Sequence, residues 1–294
     1  MVSAGAFIAV DWGTTNRRAY RIEDGAVADT IRDDRGVLAV SRDAFPAEVA
    51  GLRTRLGDLP MLCAGMAGSA RGWTDVPYLP CPAGFAELAA GAVWAEPGRT
   101  ALLPGLSVAA AGRADVMRGE EVQLLGAVAA GLAPADALLC QPGTHCKWAR
   151  VRGERVVQFR TAMTGELFAL LKGHSLLGDF LRGEVRPGAA FEAGLDVAAE
   201  GRPLSALFGE RAAVLLGLRD ANHAASRVSG LLIGGDVREQ ALTPGEAVRI
   251  LADPTLGDLY ATAVARAGGK PVLVDGQAAF TAGIKRIWEL IDDR

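Results

Sequence analysis

Phe7-Ile-Ala-Val-Asp-Trp-Gly-Thr-Thr-Asn-Arg17 is the stretch on which the fold turns. Its first four residues are apolar and partly β-branched, so they read as a strand that ends at Asp11 and enters a Gly13-Thr-Thr-Asn16 turn. A second strand follows over Arg17–Glu23. Asp24-Gly25 is the preferred two-residue hairpin turn into a third strand over 26–31. The chain therefore opens as an antiparallel strand–turn–strand–turn–strand unit.

That order returns further on. An apolar strand over 137–140 runs into Gln141-Pro-Gly-Thr-His-Cys-Lys147, and 147–152 and 155–160 form a hairpin about Gly153-Glu154. Set against each other at a shift of 130 residues (11 to 141), Asp11 faces Gln141, Gly13 faces Gly143 and Thr14 faces Thr144; Arg17 likewise faces Lys147 and Ala19 faces Ala149. A repeated strand–turn–hairpin implies two similar lobes, each offering a Gly-Thr turn.

Between and beyond these units the pattern alternates. Helices are expected over 44–56 and 120–130, with a strand over 61–64. The segment 65–104 is rich in Gly, Pro and aromatics (Trp73, Tyr78, Phe85, Trp94) and reads as a loop-rich binding region. Helical patterns cover 166–171, 204–208 and 211–224. A strand over 231–233 is expected to run into Gly234-Gly235, with Asp236 capping the next helix. Strands over 248–251 and 271–274 alternate with helices over 256–267 and 277–291, which is an α/β arrangement with parallel pairing. The expected lobes are 1–131 and 132–276, with the helix 277–294 packing back on the first.

Composition narrows the function. The chain has 294 residues, half of them hydrophobic, enough for one large or two smaller cores. A net charge of −3 argues against a nucleic-acid coat or a polybasic membrane binder. Four cysteines show neither CxxC nor metal spacing, and no basic-then-apolar leader opens the chain, so a reduced cytoplasmic setting is expected. With 27 Arg and four Lys, an isolated Arg says little.

The chemistry sits in the turns. Gly13 and Gly143 let the backbone approach phosphate oxygens, Thr14, Thr15 and Thr144 add hydroxyls, and exposed turn N–H groups make an anion-binding concavity. Asp11 is placed to hold Mg²⁺ through water. A lone Gly-Thr hairpin is usually only a hairpin; two of them together with Gly234-Gly235 carry the phosphate reading.

Asp11-Trp-Gly-Thr-Thr-Asn16 resembles the first phosphate motif of the actin-like ATPase and sugar-kinase superfamily, and Pro142-Gly-Thr-His-Cys-Lys147 resembles the second. Leu231–Gly235 is similar to the adenosine motif, Gly119-Glu-Glu121 to the first connecting segment and Gly276–Gly283 to the second. Within the superfamily the chain resembles the 2-dehydro-3-deoxygalactonokinase family. That likeness rests on DWGTTN at 11–16, GMAGSARGW at 65–73, MRGEEVQLLG at 117–126, PGTHCKW at 142–148, MTGELF at 163–168 and HS at 174–175.

The resemblance implies a two-lobed α/β fold of the actin-like, ribonuclease H-like type, with mixed sheets and ATP between the lobes. It also implies phosphorylation of the 6-hydroxyl of 2-dehydro-3-deoxy-D-galactonate. The position of the catalytic Asp of related sugar kinases falls on Glu120 or Glu121, with Glu120 preferred. Acidic residues are also favoured in any first helical turn.

Gly13, Thr14, Thr15, Gly143, Thr144, His145, Gly234 and Gly235 would then bind nucleotide, and Asp11 the metal. Arg18, Ser69, Arg71, Trp73, Arg118 and Lys147 would face the sugar acid. Arg17 and Arg18 point to opposite sides of a strand, and Arg18 is preferred for the substrate. A homodimer is left open, the sequence carrying no oligomeric signal. Three alternatives stand beside this reading: a kinase of the same fold acting on another sugar acid such as 2-dehydro-3-deoxygluconate, an exopolyphosphatase-like hydrolase, and a non-enzymatic nucleotide-binding module.

Overall fold

A computed structural model of the chain describes residues 5–110 and 112–292. It separates into two compact units. The first runs to Asp136 and adds Ala149–Phe159 and the chain from Asp275 onward; the second takes Ala137–Trp148 and Arg160–Val274.

The first unit is built on β1 (Phe7–Trp12), β2 (Arg17–Glu23), β3 (Ala26–Asp33) and β4 (Met61–Gly65). Strands β1 and β2 pair antiparallel, with Asp11 opposite Arg18, as do β2 and β3. Strand β1 also pairs parallel with β4, so it lies between two strands in the sheet. The helix α1 (Phe45–Leu56) buries Phe45, Val49, Leu52 and Leu56, a three- and four-residue spacing, against Ile8, Val10 and Met61.

Residues 65–104 are more ordered than their loop-rich composition suggests. They hold β5 (Leu79–Pro80), α2 (Phe85–Ala90), β6 (Val93–Glu96) and β7 (Thr100–Leu102), and the sheet order is β3-β2-β1-β4-β7-β6. A hairpin that the sequence did not announce, β8 (Leu106–Ala110) with β9 (Arg113–Met117), joins β5 in a separate small sheet. Its Ala, Gly and Asp content gives little strand signal.

The second sheet carries β10 (Ala137–Gln141), β11 (Cys146–Arg152), β12 (Arg155–Ala162), β13 (Ala247–Leu251) and β14 (Lys270–Val274), in the order β12-β11-β10-β13-β14. Strand by strand this repeats β3-β2-β1-β4-β7, including the parallel steps β10–β13–β14. The duplicated order is the mixed α/β architecture that the superfamily resemblance implies.

A helix crossing completes the first unit. The helices α3 (Glu120–Ala129) and α9 (Gly276–Asp292) meet through glycines: a methyl on Gly126 would lie 1.9 Å from the Ala279 carbonyl oxygen, and one on Gly283 would lie 2.1 Å from that of Val122. Helix α9 also stacks Trp288 on Phe7, with centroids 4.8 Å apart. The second unit contains α4 (Thr164–His174), α5 (Ala189–Ala199), α6 (Pro203–Leu215), α7 (Ala224–Arg238) and α8 (Pro254–Arg266).

Two expectations are corrected in this unit. Residues 231–233 lie inside α7 rather than in a strand, because a short apolar run does not by itself distinguish a buried helix from a strand. The expected helix over 211–224 stops at Leu215, where Gly217 closes it with φ 69°.

The crossing of α3 and α9 gives a stability test. Gly126→Ala should cost about 1–3 kcal/mol through overpacking and lower the midpoint of thermal unfolding. Gly51→Ala, on the exposed side of α1 with nothing near its added methyl, should instead gain up to ~1 kcal/mol of helix propensity. Melting curves for both variants beside the parent check the pair.

Candidate active site

In the first unit, β1 delivers Asp11 to the mouth of the Gly-Thr turn. The turn is pinned by backbone bonds: Gly13 N–H donates to Asn16 O (2.9 Å), and the N–H groups of Gly36, Val37 and Leu38 donate to Thr15, Gly13 and Thr14 oxygens (3.1 Å each). Its carbonyls are thus occupied, while Thr14 and Thr15 stay exposed.

Behind the turn Arg17 is buried. It donates to both oxygens of Asp33 (3.1 and 2.8 Å) and to Glu48 (2.9 Å), and it lies over the Trp12 ring. Arg18, one residue on, is exposed with its Nη1 3.8 Å from Asp11 Oδ2.

The start of α3 lies in the same unit. Its first N–H groups lack a capping side chain ahead of them, and the two glutamates reach back instead. Glu120 Oε2 accepts from Arg118 N–H (3.0 Å), and both Glu121 oxygens accept from Gly119 N–H (2.8 and 2.7 Å). Glu121 is fully buried, whereas Glu120 keeps partial exposure.

Burial, countered by Arg18 and reinforced by the Glu120 charge, pushes the Asp11 carboxyl up to about 6. Burial and the same neighbour push Glu121 up to about 8. Asp11, Glu120 and Glu121 therefore form one acidic cluster in which Glu120 is the charge felt by both partners.

In the second unit, the Gly143-Thr144 turn abuts the N-terminus of α4. Glu166 N–H donates to Thr144 O (2.9 Å), and a methyl on Gly165 would fall 2.3 Å from Gly143 O. A helix N-terminus beside a glycine turn favours anions. A cavity of about 380 Å³ opens here, lined by Thr144 and Thr164 at one end and by apolar residues including Val185, Leu232, Ile233 and Leu256.

Its floor is fixed by Asp236, a buried residue in the interior of α7 rather than a helix cap. Asp236 accepts from Trp148 Nε1 (2.8 Å), Thr164 Oγ1 (2.9 Å) and Tyr260 Oη (2.7 Å), and burial raises its carboxyl above the ordinary range.

The other nominated residues divide by burial. Ser69 donates to Met66 O, and Arg118 is buried against the carbonyls of Leu103 and Val76 with its guanidinium over Tyr78. Lys147 is buried and donates to Thr161 Oγ1 (3.0 Å). Trp73 is half-buried and stacks on Phe45. Arg71 is exposed.

His145 is exposed and bonds Glu166 at 2.6 Å. Gly234 faces α5, where a methyl would meet Ala198 and Leu195, and so serves helix packing; Gly235 has open space about it. Sequence reasoning missed the cavity's Phe168, Val185, Leu256 and Tyr260, which come from three separated segments. The MTGELF stretch over 163–168, which opens α4, was their one local signal.

The family model described as 2-keto-3-deoxy-galactonokinase matches residues 11–287. The chain belongs to this family. It is 37% identical to the 2-dehydro-3-deoxygalactonokinase of Escherichia coli strain K12, over 96% of this chain and 97% of that one. A crystal structure from Sinorhizobium meliloti, named with reservation as a 2-dehydro-3-deoxygalactonokinase protein, superposes with a TM-score of 0.87 at 36% identity, covering 96% of this chain and 97% of that one.

At 11% identity the likeness is one of fold alone. The activator of 2-hydroxyisocaproyl-CoA dehydratase from Clostridium difficile, solved with bound ADPNP, gives a TM-score of 0.51 over 98% of this chain and 96% of that one. Like its family, the chain is an ATP-dependent sugar-acid kinase of the actin-like ATPase fold. Among the described residues no helix is long and apolar enough to cross a membrane.

The Asp11 shift has a signed consequence. Between the ordinary 3.8 and about 6 the folded chain keeps a proton that the unfolded chain has released. Stability therefore falls as pH rises through that window, and the penalty is complete above it. Asp11→Asn removes the penalty, so its gain in melting temperature over the parent should be small at pH 4 and full by pH 7. A gain that does not change with pH would contradict the assignment.

Proposed function

We propose that this chain transfers the γ-phosphoryl group of Mg-ATP to the 6-hydroxyl of 2-dehydro-3-deoxy-D-galactonate, giving the 6-phosphate in galactonate catabolism. The observation that carries the assignment of roles is the acidic cluster in the first unit. Glu120 is its partly exposed member, whereas Glu121 is buried and spent on the Gly119 N–H group. Glu120 is therefore the base that takes the hydroxyl proton, and Glu121 holds the start of α3.

The residues present fit the cofactor. Mg²⁺ needs only one or two carboxylates when phosphate and water complete its shell. Among the described residues no three His, Cys, Asp or Glu side chains converge to hold a metal without such help. Asp11, pushed up by burial and a neighbouring carboxylate, is a group that a cation would relieve. Bound there, Mg²⁺ would neutralise phosphate charge during transfer.

The apolar cavity of the second unit suits a purine face. The Gly143-Thr144 turn and the α4 N-terminus suit its phosphates, and in the first unit Thr14 and Thr15 carry exposed hydroxyls on the matching turn. Arg18 and Arg71 are the nominated cations that remain exposed, and they are assigned to the substrate carboxylate. Four free thiols accord with a reducing cytoplasm.

ADP release with Mg-ATP should require 2-dehydro-3-deoxygalactonate, with the gluconate epimer turned over more slowly. Glu120→Gln should lower turnover ~10²–10⁴-fold with nucleotide binding kept, the size of effect general-base loss produces. Glu121→Gln should act mainly on stability. ADP release at equal rate without any sugar would sink the kinase assignment in favour of a hydrolase. A larger loss in Glu121→Gln would exchange the two glutamate roles.

A further inference from the structure

We propose that α6 and the turn that follows it form a self-complementary interface between two copies of this chain. Leu204, Phe208, Leu215, Leu216 and Leu218 are each between 60% and 83% exposed, although they are large and apolar. Together they present roughly 600 Å² of apolar side chain, at the top of the range of the largest patch on a typical monomer. The same area is about three-quarters of the ~800 Å² that each partner gives to a stable interface.

The exposure is built in. The inner side of α6 already has its partners: Leu207 and Val214 pack on a small core with Val228 and Leu181, and the buried Glu210 is bonded by Arg219 and Arg227. The turn after the helix adds to the patch. Gly217 N–H donates to Val214 O and Leu218 N–H to Ala213 O, the pairing that usually folds an apolar residue at the Leu218 position back onto its helix. Leu218 stays outside.

Charge selects the occupant. From 203 to 218 the only charged residues are Glu210, which is buried and paired, and Arg211, whose guanidinium lies over Phe180. A charged partner would find nothing to pair with. An anionic lipid surface would find no Lys in this stretch and no net charge at its ends, where Glu200 with Arg202 and Arg219 with Asp220 flank the helix. A second copy meets the same neutral apolar face. In an antiparallel pairing about a two-fold axis, each helix start lies by the other's end, and mixed charges meet mixed charges at both rims.

Sedimentation equilibrium of the full chain, from nanomolar to tens of micromolar, tests the proposal. The parent should approach twice the 30.5 kDa of one chain. Phe208→Glu and, separately, Leu216→Glu should raise the dimer dissociation constant at least 10-fold, the effect expected of a buried interface anchor. Sugar-dependent ADP release and circular dichroism should match the parent. If Phe208→Glu fails to fold, Leu216→Glu and Phe208→Ser decide the matter. A parent that stays monomeric throughout overturns the proposal and leaves the face to a different partner. Dimers that survive both glutamates overturn it as well, since the interface then lies elsewhere.

Discussion

Carboxyl groups placed where water cannot solvate them, with a like charge nearby, are the constraint around which the first unit is organised. Asp11 sits where β1 stops, and Glu120 and Glu121 sit where α3 begins. Burial of these carboxyl groups is unfavourable to their charged forms, and the Glu120 charge adds to it, which is why Asp11 and Glu121 rest well above the ordinary carboxylate range. The cost is offset by the sheet and the helix crossing, which leave the backbone at those positions little freedom to relax. On the roles proposed for Asp11 and Glu120, the reaction of a kinase would bring both a cation and a substrate proton to this arrangement.

Each unit backs its turn with a buried polar network, and the two networks differ. Behind the first turn, Arg17 is shared by Asp33 and Glu48, while Arg35 holds the other Glu48 oxygen; every charge there has an opposite. Behind the second, Asp236 accepts from three neutral donors, Trp148, Thr164 and Tyr260. The first network is a scaffold of ion pairs under an exposed turn. The second is a hydrogen-bonded floor under an apolar cavity.

How far the chain could be read in advance depended on the range of the determining interactions. The strands of both hairpins follow from period-two patterning and from turns of the Asp-Gly kind, all within a few residues, so β1–β3 and β10–β12 were legible. The acidic start of α3 and the place of Asp11 were legible for the same reason. Residues 231–233 were not, since Leu-Leu-Ile suits a strand, and it is the approach of α5 to Gly230 and Gly234 that accommodates a helix there. Arg118, Lys147 and Ser69 carry motif positions, but whether such side chains face substrate or interior depends on distant carbonyls and hydroxyls. Nothing local distinguishes Arg118, inside, from Arg71, outside.

The placement of α9 bears on how the protein is made. The second unit is complete once Val274 has been synthesised, but the first lacks its closing helix until Gly276–Asp292 emerges. Until then the α3 groove at Gly126 and the face of Phe7 beside Trp288 are uncovered in the nascent chain. The strands over 7–33 thus wait for the helix over 276–292, and until it emerges the acidic cluster belongs to a unit that has not yet closed its core.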